Sequence, residues 1–523
     1  MLATVHCGSL IGVHAHGVEV QVSIGRGLPG FEIVGLPEAA VRESRVRVLA
    51  AIENSGFVLP PRKLVLNLAP ADLRKSGSSF DLAIAVAALS AAGSCAPNRL
   101  ATTLIAGELS LDGAVRPVRG LLAQLLGAKK RGLLGAIVPQ ANQVEAALAT
   151  NLEVRCATHL REVVAFLNGL ETLPQPRTCP KSRPEIREDF RDVCGQQTAK
   201  RALQVAAAGM HNVLLIGPPG AGKTMLARRL RWLLPAPSAE EAQEIATIAG
   251  AAGETPADPG ERPFRAPHHT ASDVALVGGG QPLQPGEVTL AHLGVLFLDE
   301  LPEFRVPALE ALRPTMESGV AAVARVQHRM VLPARPLVVA AMNPCPCGYA
   351  GDRARLCRCP PTRIERYRAR VSGPLLDRFD IQVALPPVRP ASMRHHGDGE
   401  TTASMQQRVA RAHARRRQRQ QRSESRPAPE QGELARLGEE LVPDALQLLE
   451  RGAETLGLSV RAYVKAARVA RTVADLEGHE HVEASDVAEA LQYRLLDRTR
   501  SNTASPQSLR HEPSLPEENE ACH

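Results

Sequence analysis

One short glycine-rich segment constrains the fold more than any other part of the chain. The pattern Gly-x-x-x-x-Gly-Lys-Thr is matched by Gly217, Pro218, Pro219, Gly220, Ala221, Gly222, Lys223 and Thr224. The four residues before it are apolar and predict a buried strand, and the seven residues after it have helical spacing. Strand, glycine loop and helix are the context in which this motif cradles nucleotide phosphates. We therefore expect ATP binding, with Lys223 on the β and γ phosphates and Thr224 on Mg²⁺.

Two further apolar runs end in polar side chains that suit such a site. Asp299 and Glu300 follow one run, and Asn343 follows the other. Asp299 is expected to hold Mg²⁺, indirectly or through Thr224. Glu300 would orient and deprotonate the attacking water, and Asn343 would hold that water near the γ phosphate. Asn343 also precedes Pro344 and could serve as a turn residue, which is compatible with the first interpretation.

Composition limits the class of protein. A chain of 523 residues predicts three or four domains, and its aromatic content of 3% means that their cores are mostly aliphatic. It lacks a long uncharged apolar run and an N-terminal signal pattern, so we expect no membrane partner. Ten cysteines without an export signal indicate reduced thiols in a cytoplasm, or metal binding, rather than a disulfide framework.

The order of patterns along the chain predicts an α/β protein with several units. A P-loop core with a parallel sheet lies between an N-terminal mixed domain and a C-terminal all-helical lid. The predicted boundaries are 1–168 for the N-terminal domain, 169–184 for a linker, 185–390 for the core, 391–430 for a basic connector, 431–498 for the helical lid and 499–523 for a disordered tail.

The positive charge of the chain is concentrated in one segment. Between Arg408 and Arg426 there are eight arginines and one acid, which equals the formal net charge of +7 for the whole chain. Such a run is typical of a polyanion contact, but a solvated helix face or a mobile linker would give the same pattern.

Four cysteines stand close together after Asn343. Cys345 and Cys347 form one CxC pair, and Cys357 and Cys359 form a second. Four thiolates at this spacing could close a tetrahedral Zn²⁺ site, although CxxC is the commoner spacing and four free thiols in a loop are the alternative. We favour a structural zinc site.

The motifs taken together resemble a known family. Their order is that of AAA+ ATPases, and residues 264–270, 343–349 and 372–380 resemble the Mg-chelatase-like branch, specifically the YifB/ComM proteins. The resemblance runs from residue 1 to about residue 498. It implies a ring-forming, hexameric, DNA-dependent ATPase that drives branch migration in homologous recombination, notably in natural transformation.

The resemblance also assigns residues that the motifs alone do not. Arg378 is similar to an arginine finger that reaches the γ phosphate of a neighbouring subunit, and Arg461 to a sensor-2 arginine supplied by the lid to the same phosphates. A salt bridge with Asp377 or Asp380 is the alternative role of Arg378.

Residues 320–332 predict a hairpin, and in this branch a hairpin at this place projects into the pore of the ring. Its tip carries Arg325, His328 and Arg329, which would grip DNA phosphates without reading the sequence. An ordinary surface hairpin is the alternative.

Residues 75–82 and 107–121 resemble Lon-type peptidase domains of the ribosomal-S5-like fold. The first of these segments contains Ser79, which matches the catalytic serine, but Leu122 stands where Lon carries a lysine. Without an ammonium group to take its proton, Ser79 has no evident activation. We expect a non-proteolytic domain with a structural or DNA-binding role.

Three functions compete at this point. A DNA-translocating motor is favoured. An ATPase subunit of a magnesium chelatase is disfavoured by the N-terminal domain and the four-cysteine loop, and an ATP-dependent protease is disfavoured by Leu122.

Overall fold

The structure is a computed structural model. It describes residues 2–36, 38–71, 73, 75, 77–177, 186, 188–254, 260–280, 283–324, 329–352, 355–388, 399–424 and 438–494.

The N-terminal part is a mixed sheet with helices on its faces. Its strands are β1 (Leu2–Ile11), β2 (His14–Gly25), β3 (Gly30–Val34), β4 (Lys63–Ala69), β5 (Thr103–Ile105), β6 (Glu108–Leu109), β7 (Val115–Arg116), β8 (Gly135–Pro139) and β9 (Glu153–Ala157). Its helices are α1 (Ala39–Asn54), α2 (Asp81–Ala92), α3 (Leu121–Lys130), α4 (Gln143–Ala146) and α5 (Leu160–Leu167). The sheet order is β3-β4-β2-β1-β5-β8-β9. β1 and β2 are antiparallel, whereas β1, β5, β8 and β9 run parallel. This architecture agrees with the predicted α+β domain.

Helix α2 is the buried helix around which the N-terminal domain packs. Ten of its residues are buried, and most of them are alanine, leucine, isoleucine or valine. Small side chains on nearly every face let the helix lie between β1, β2 and α1. Its N-terminal Asp81 is also buried and pairs with Arg47 of α1 at 2.9 Å, so its charge is compensated.

The central part holds the nucleotide-site motifs on a parallel sheet. Its strands are β10 (Val213–Ile216), β11 (Phe264–Arg265), β12 (Gly278–Gly279), β13 (Gln284–Pro285), β14 (Val295–Leu298), β15 (Val320–Ala324), β16 (Arg329–Pro333), β17 (Leu337–Met342) and β18 (Ile381–Ala384). Its helices are α6 (Gln197–Gly209), α7 (Lys223–Leu230), α8 (Ala239–Ala252), α9 (Asp273–Val277), α10 (Glu287–Leu290), α11 (Val306–Ser318), α12 (Pro361–Ala369) and α13 (Gly373–Leu376). The main sheet has the order β11-β14-β17-β10-β18, with every pair parallel. Such apolar strands, buried on both faces, are expected of a parallel sheet.

The C-terminal part is helical. It contains α14 (Thr402–Glu424), α15 (Pro443–Leu456), α16 (Val460–Glu477) and α17 (Ala484–Gln492). One apolar core joins these helices to α6 and to one face of the central sheet, and a second core lies between the other face, α11 and the β15–β16 hairpin. The helical part therefore packs directly on the sheet that carries the nucleotide motifs.

The described part of the arginine-rich segment, up to residue 424, belongs to a helix that packs on the core. Within α14, Met405, Val409 and Ala412 are buried in the shared core, at spacings of four and three residues. This narrow apolar stripe was overlooked in the sequence because arginine and glutamine fill most other positions. Arg416 donates to the carbonyl of Gly209 at 3.0 Å, so part of the helix's charge faces its own chain.

The N-terminal domain contacts the central part at two places. Helix α3 packs against α8, and the backbone of Gly120 donates to the carbonyl of Gly250 at 2.9 Å. The turn between β1 and β2 packs on the β15–β16 hairpin, where Gly12 adopts φ +62° and a Cβ would come within 2.3 Å of the Met330 sulfur. A side chain at this left-handed position would be strained and would displace the Met330 side chain. The hairpin is thus supported by the N-terminal domain.

Candidate functional site: an ATP-binding edge of the parallel sheet

Three neighbouring strands end at one edge of the sheet. β17 lies between β10 and β14, with Ile216 beside Met342 and Leu298 beside Ala340. Because parallel strands present their carboxyl ends at the same edge, the segments that follow them meet there. Those segments are the phosphate loop after β10, the acidic pair after β14 and Asn343 after β17.

The phosphate loop has the backbone that anion binding requires. Gly220 and Gly222 adopt φ +77° and +90°, with open space where a Cβ would stand. Helix α7 begins at Lys223, so its N-terminal N–H groups face the loop. Gln196 stabilises the loop, because its side-chain amide donates to the carbonyl of Ala221 at 3.1 Å.

Lys223 and Asn343 are in direct contact. The Lys223 ammonium donates to Asn343 Oδ1 at 3.0 Å and to the carbonyls of Gly217 and Pro218 at 2.8 and 3.0 Å. Three protons thus have three acceptors within the protein. Phosphate oxygens must replace some of these acceptors when a nucleotide binds.

The two predicted magnesium ligands and the predicted catalytic carboxylate lie at the same edge of the sheet. The Thr224 hydroxyl donates to Asp299 Oδ2 at 2.9 Å, which brings together the two residues expected at Mg²⁺. Burial lowers the pKa of Lys223, while the negative charges of Asp299 and Glu300 oppose that shift. Glu300 has φ +51°, an uncommon backbone conformation for a non-glycine residue, and its side chain is 56% exposed. The donor set therefore fits ATP and Mg²⁺, with the half-exposed carboxylate of Glu300 beside them.

One residue near the carboxylate was missed in the sequence. His269 Nδ1 lies 3.4 Å from Glu300 Oε2, and its ring packs on that of His268 with 4.1 Å between centroids. The only signal in the sequence was the His-His pair within residues 264–270, which does not indicate a partner on another strand.

Arg378 and Arg461 share one carboxylate. Arg378 pairs with Glu317 at 2.5 Å and donates to the carbonyl of Pro374, and Arg461 pairs with the same Glu317 oxygen. The Arg378 side chain is buried, whereas that of Arg461 is half exposed. In this structure Arg378 pairs with Glu317, at the C-terminal end of α11, whereas Asp380 pairs with Lys465 at 2.9 Å. The structure brings Arg378 and Arg461 together at Glu317. Neither arginine is among the contacts of Lys223 described above.

Residues 320–324 and 329–333 form the two strands of the predicted hairpin. β15 and β16 are antiparallel, with Val320 beside Pro333 and Ala324 beside Arg329. Two of the three predicted tip residues, Arg325 and His328, lie outside the described residues, and Arg329 begins β16.

The four clustered cysteines also meet. The sulfur atoms of Cys345, Cys347, Cys357 and Cys359 all lie within 4.8 Å of one another, in the loop between β17 and α12. Cys345 is fully buried and the others are half-buried.

The described residues around Ser79 include no base in contact with its hydroxyl. Among the described contacts, the backbone carbonyl of Ser79 accepts from Gly107 N–H, and no lysine or histidine reaches its hydroxyl. Leu122 is fully buried, and its N–H donates to Glu145 at 2.8 Å. Leu122 is an apolar side chain in a closed core and supplies no base, and the non-proteolytic role of the domain stays a prediction.

The phosphate loop, the acidic strand end and the asparagine lie at one edge of the parallel sheet β11-β14-β17-β10-β18, which a helical unit follows. Together they define a nucleoside triphosphatase of the AAA+ class. Three protein-family models match the chain. The model described as magnesium chelatase, subunit ChlI, matches residues 189–393, and the one described as subunit ChlI of Mg-chelatase matches residues 18–142. The model of the ChlI C-terminal part matches residues 399–494. None of the helices in the described part of the chain is long and apolar enough to cross a membrane.

Relatives that align over nearly their whole length identify the family within this class. The chain is 43% identical to protein YifB of Salmonella typhimurium over 501 residues, covering 95% of this chain and 98% of the relative. It is 42% identical to competence protein ComM of Haemophilus influenzae over 506 residues, with the same coverage. Lon protease 2 of Bacillus subtilis is 32% identical over 162 residues, or 28% of this chain. The chain belongs to the YifB/ComM family of Mg-chelatase-like AAA+ ATPases.

Proposed function

We propose that this chain is an ATP-hydrolysing ring motor that moves DNA, promoting branch migration or strand exchange in homologous recombination and natural transformation. The proposal rests on the assembled phosphate-binding edge in a chain that aligns with 98% of a competence protein. That relative is named a competence protein, and the site has the groups that ATP hydrolysis requires; action on DNA is our proposal.

In this proposal the residues at the sheet edge divide the work of hydrolysis. The phosphate loop and Lys223 bind the phosphates, and Thr224 and Asp299 hold Mg²⁺, which neutralises charge on the β and γ phosphates. Glu300 is the base that takes the proton of the attacking water. His269 orients that carboxylate, and Asn343 positions the water once Lys223 has turned to the phosphates.

Arg378 and Arg461 act on a neighbouring subunit in the same proposal. Both arginines pair with Glu317 of their own chain. Both would therefore approach the same nucleotide, bound to the neighbouring subunit. Charge on the transferring phosphoryl group has to be neutralised, and arginines supplied in trans make hydrolysis depend on assembly. A closed ring, expected to be a hexamer, gives every subunit such a neighbour.

The β15–β16 hairpin is the proposed DNA contact. Arg325, His328 and Arg329 would follow phosphates in the pore, without aromatic stacking, so affinity should depend steeply on salt. The arginines of α14 are weaker candidates than the sequence suggested. Arg416 and Arg419 already have acceptors within the chain, at 3.0 Å and 2.5 Å respectively.

A chelatase-type ATPase subunit remains the second candidate, because family models named after that subunit match both the core and residues 18–142. The presence of an N-terminal domain therefore carries less weight against a chelatase than the sequence alone suggested. In our proposal, the four-cysteine loop still favours the DNA motor over the chelatase subunit. A protease is disfavoured by Leu122.

One assay separates these candidates. ATP turnover should rise with DNA and stay at the basal rate with porphyrin or casein, and binding to DNA should give log K linear in log salt. Stimulation by porphyrin and not by DNA would overturn the motor proposal in favour of the chelatase, and stimulation by casein with its cleavage would favour the protease.

Hairpin variants then test the DNA contact. Arg325→Ala combined with Arg329→Ala should stop displacement of fluorescent branched DNA while ATP turnover persists. The matched control is Arg411→Ala with Arg417→Ala, which removes the same charge from two exposed positions of α14 and should weaken binding without uncoupling. A hairpin variant that moves branched DNA as well as the wild type would refute pore contact.

A further inference from the structure

The loop between β17 and α12 has the geometry of a metal centre. Sulfur–sulfur distances are 3.3 Å for Cys345 and Cys347, 3.6 Å for Cys345 and Cys357, and 3.6 Å for Cys347 and Cys357. A disulfide would require about 2.05 Å, so these pairs are not oxidised. Four thiolates at about 2.3 Å from one Zn²⁺ lie about 3.8 Å apart at the corners of a tetrahedron. The observed spacing is close to that of a tetrahedral tetrathiolate site.

Backbone groups around the cluster support the same assignment. Ala350 N–H points at Cys345 Sγ at 3.3 Å, and Cys359 N–H points at Cys357 Sγ at 3.5 Å. Such donors stabilise the negative charge of metal-bound thiolates. Four thiolates this close would repel one another without a cation between them. Four neutral thiols would gain little from meeting in a loop that is half exposed.

The cysteine loop also touches the phosphate loop. Gly348 has φ +85°, and a Cβ there would come within 2.4 Å of Pro219 Cδ. On the other side, Arg368 of α12 donates to the carbonyl of Pro344 at 3.2 Å. Residues 344–348 are therefore held between Asn343, which contacts Lys223, and Pro219 of the phosphate loop.

We propose that Cys345, Cys347, Cys357 and Cys359 bind one structural Zn²⁺ per chain, and that this metal fixes the loop that supports Pro219 and Asn343. The metal has no open coordination position, so it takes no part in the hydrolytic chemistry. Its effect on ATP is one of position. Loss of the metal should raise the KM for ATP more than it lowers kcat, because the phosphate loop loses its support while Glu300 keeps its place.

Metal content tests the first half of the proposal. Full-length protein purified without added metal should contain one zinc per chain by elemental analysis, and Cys357→Ser should lose it. Cys194→Ser is the matched control, since Cys194 is a described cysteine outside the cluster and its removal should leave the zinc content unchanged. A mercurial titration of the wild type, read with a zinc indicator, should release one zinc as the cluster thiols react. That titration needs no variant, so it decides the matter even if Cys357→Ser does not fold.

The outcomes are distinct. Metal-free wild-type protein with four freely reacting thiols, or iron in place of zinc, would overturn the zinc assignment.

Gly348→Ala tests the second half of the proposal, the support of the phosphate loop, because the variant should keep its zinc and still raise the KM for ATP. A Gly348→Ala protein with normal KM would show that the metal loop does not support the phosphate loop. Neither readout involves DNA, so failure here is separable from failure of the motor proposal.

Discussion

Asn343→Asp tests the exchange of partners that ATP binding requires at Lys223. In the structure, Lys223 donates to Asn343 Oδ1 at 3.0 Å, a bond between a charged donor and a neutral acceptor. Aspartate has the same shape but adds a charge, and a hydrogen bond to a charged partner is stronger by about 1–2 kcal/mol. Since this bond must be broken before Lys223 reaches a phosphate, ATP should bind about 5- to 30-fold more weakly. Repulsion between the new carboxylate and the γ phosphate acts in the same direction.

The assay is titration of the variant with a fluorescent ATP analogue in the presence of Mg²⁺, beside ATP turnover. Asn343→Ala is the matched control, because it removes the acceptor without adding charge. It should bind the analogue about as well as the wild type and hydrolyse ATP more slowly, since water is no longer positioned. Equal affinities for Asn343→Asp and the wild type would refute the competition for Lys223. Loss of binding in Asn343→Ala would show that Asn343 serves binding rather than water positioning.

Four further outcomes follow from the structure. Lys223→Ala should abolish nucleotide binding, whereas Glu300→Gln should bind ATP and retain it unhydrolysed, as measured by nucleotide retention on a filter; near wild-type turnover by Glu300→Gln would remove it as the base. Arg378→Ala should be inactive alone but recover part of its ATPase activity when mixed with Lys223→Ala, because a mixed ring contains one complete interface; no recovery in proven mixed oligomers would confine Arg378 to its own subunit. Burial lowers the pKa of His211 to about 4 from 6.5, so its neutral form stabilises the fold fully above pH 6.5 and that contribution declines as pH falls towards 4. About 2 kcal/mol should be lost between pH 7.5 and pH 5, and the same pH step should destabilise His211→Gln less in chemical denaturation; equal losses in both proteins would assign the effect to other groups.

The sequence predicted the nucleotide edge because its chemistry is local. Lys223 and Thr224 lie within one motif, and Glu300 and Asn343 follow directly after apolar runs that become neighbouring parallel strands. A strand position fixes where the next residue stands, so contacts between these residues follow from strand order alone. The mixed N-terminal sheet and the helical C-terminal part were predictable for a similar reason, from the period of their apolar residues.

Contacts between distant segments could not be predicted in this way. Glu317 pairs with Arg378 and with Arg461, which lies 144 positions further along the chain, and no pattern around Glu317 marks it as the shared partner. His269 reaches Glu300 only because β11 lies beside β14. The packing of α14 depends on three apolar positions in a helix dominated by arginine and glutamine, where the charge is the more visible signal.

The path of the chain suggests how hydrolysis would reach the hairpin in the proposed motor. From Glu300 the chain enters α11, which ends at Ser318 beside the carboxylate that holds Arg378, and β15 begins two residues later. β16 then returns into β17, which ends at Met342, directly before Asn343. A hydrogen bond of 2.9 Å from Ala334 N–H to the carbonyl of Gly319 closes the base of the hairpin. Both ends of the hairpin are therefore tied to residues proposed to sense the γ phosphate, one through a helix and one through a strand. Because a packed helix and a buried strand move as rigid bodies, a small shift at the sheet edge would be carried to the hairpin tip rather than absorbed between them.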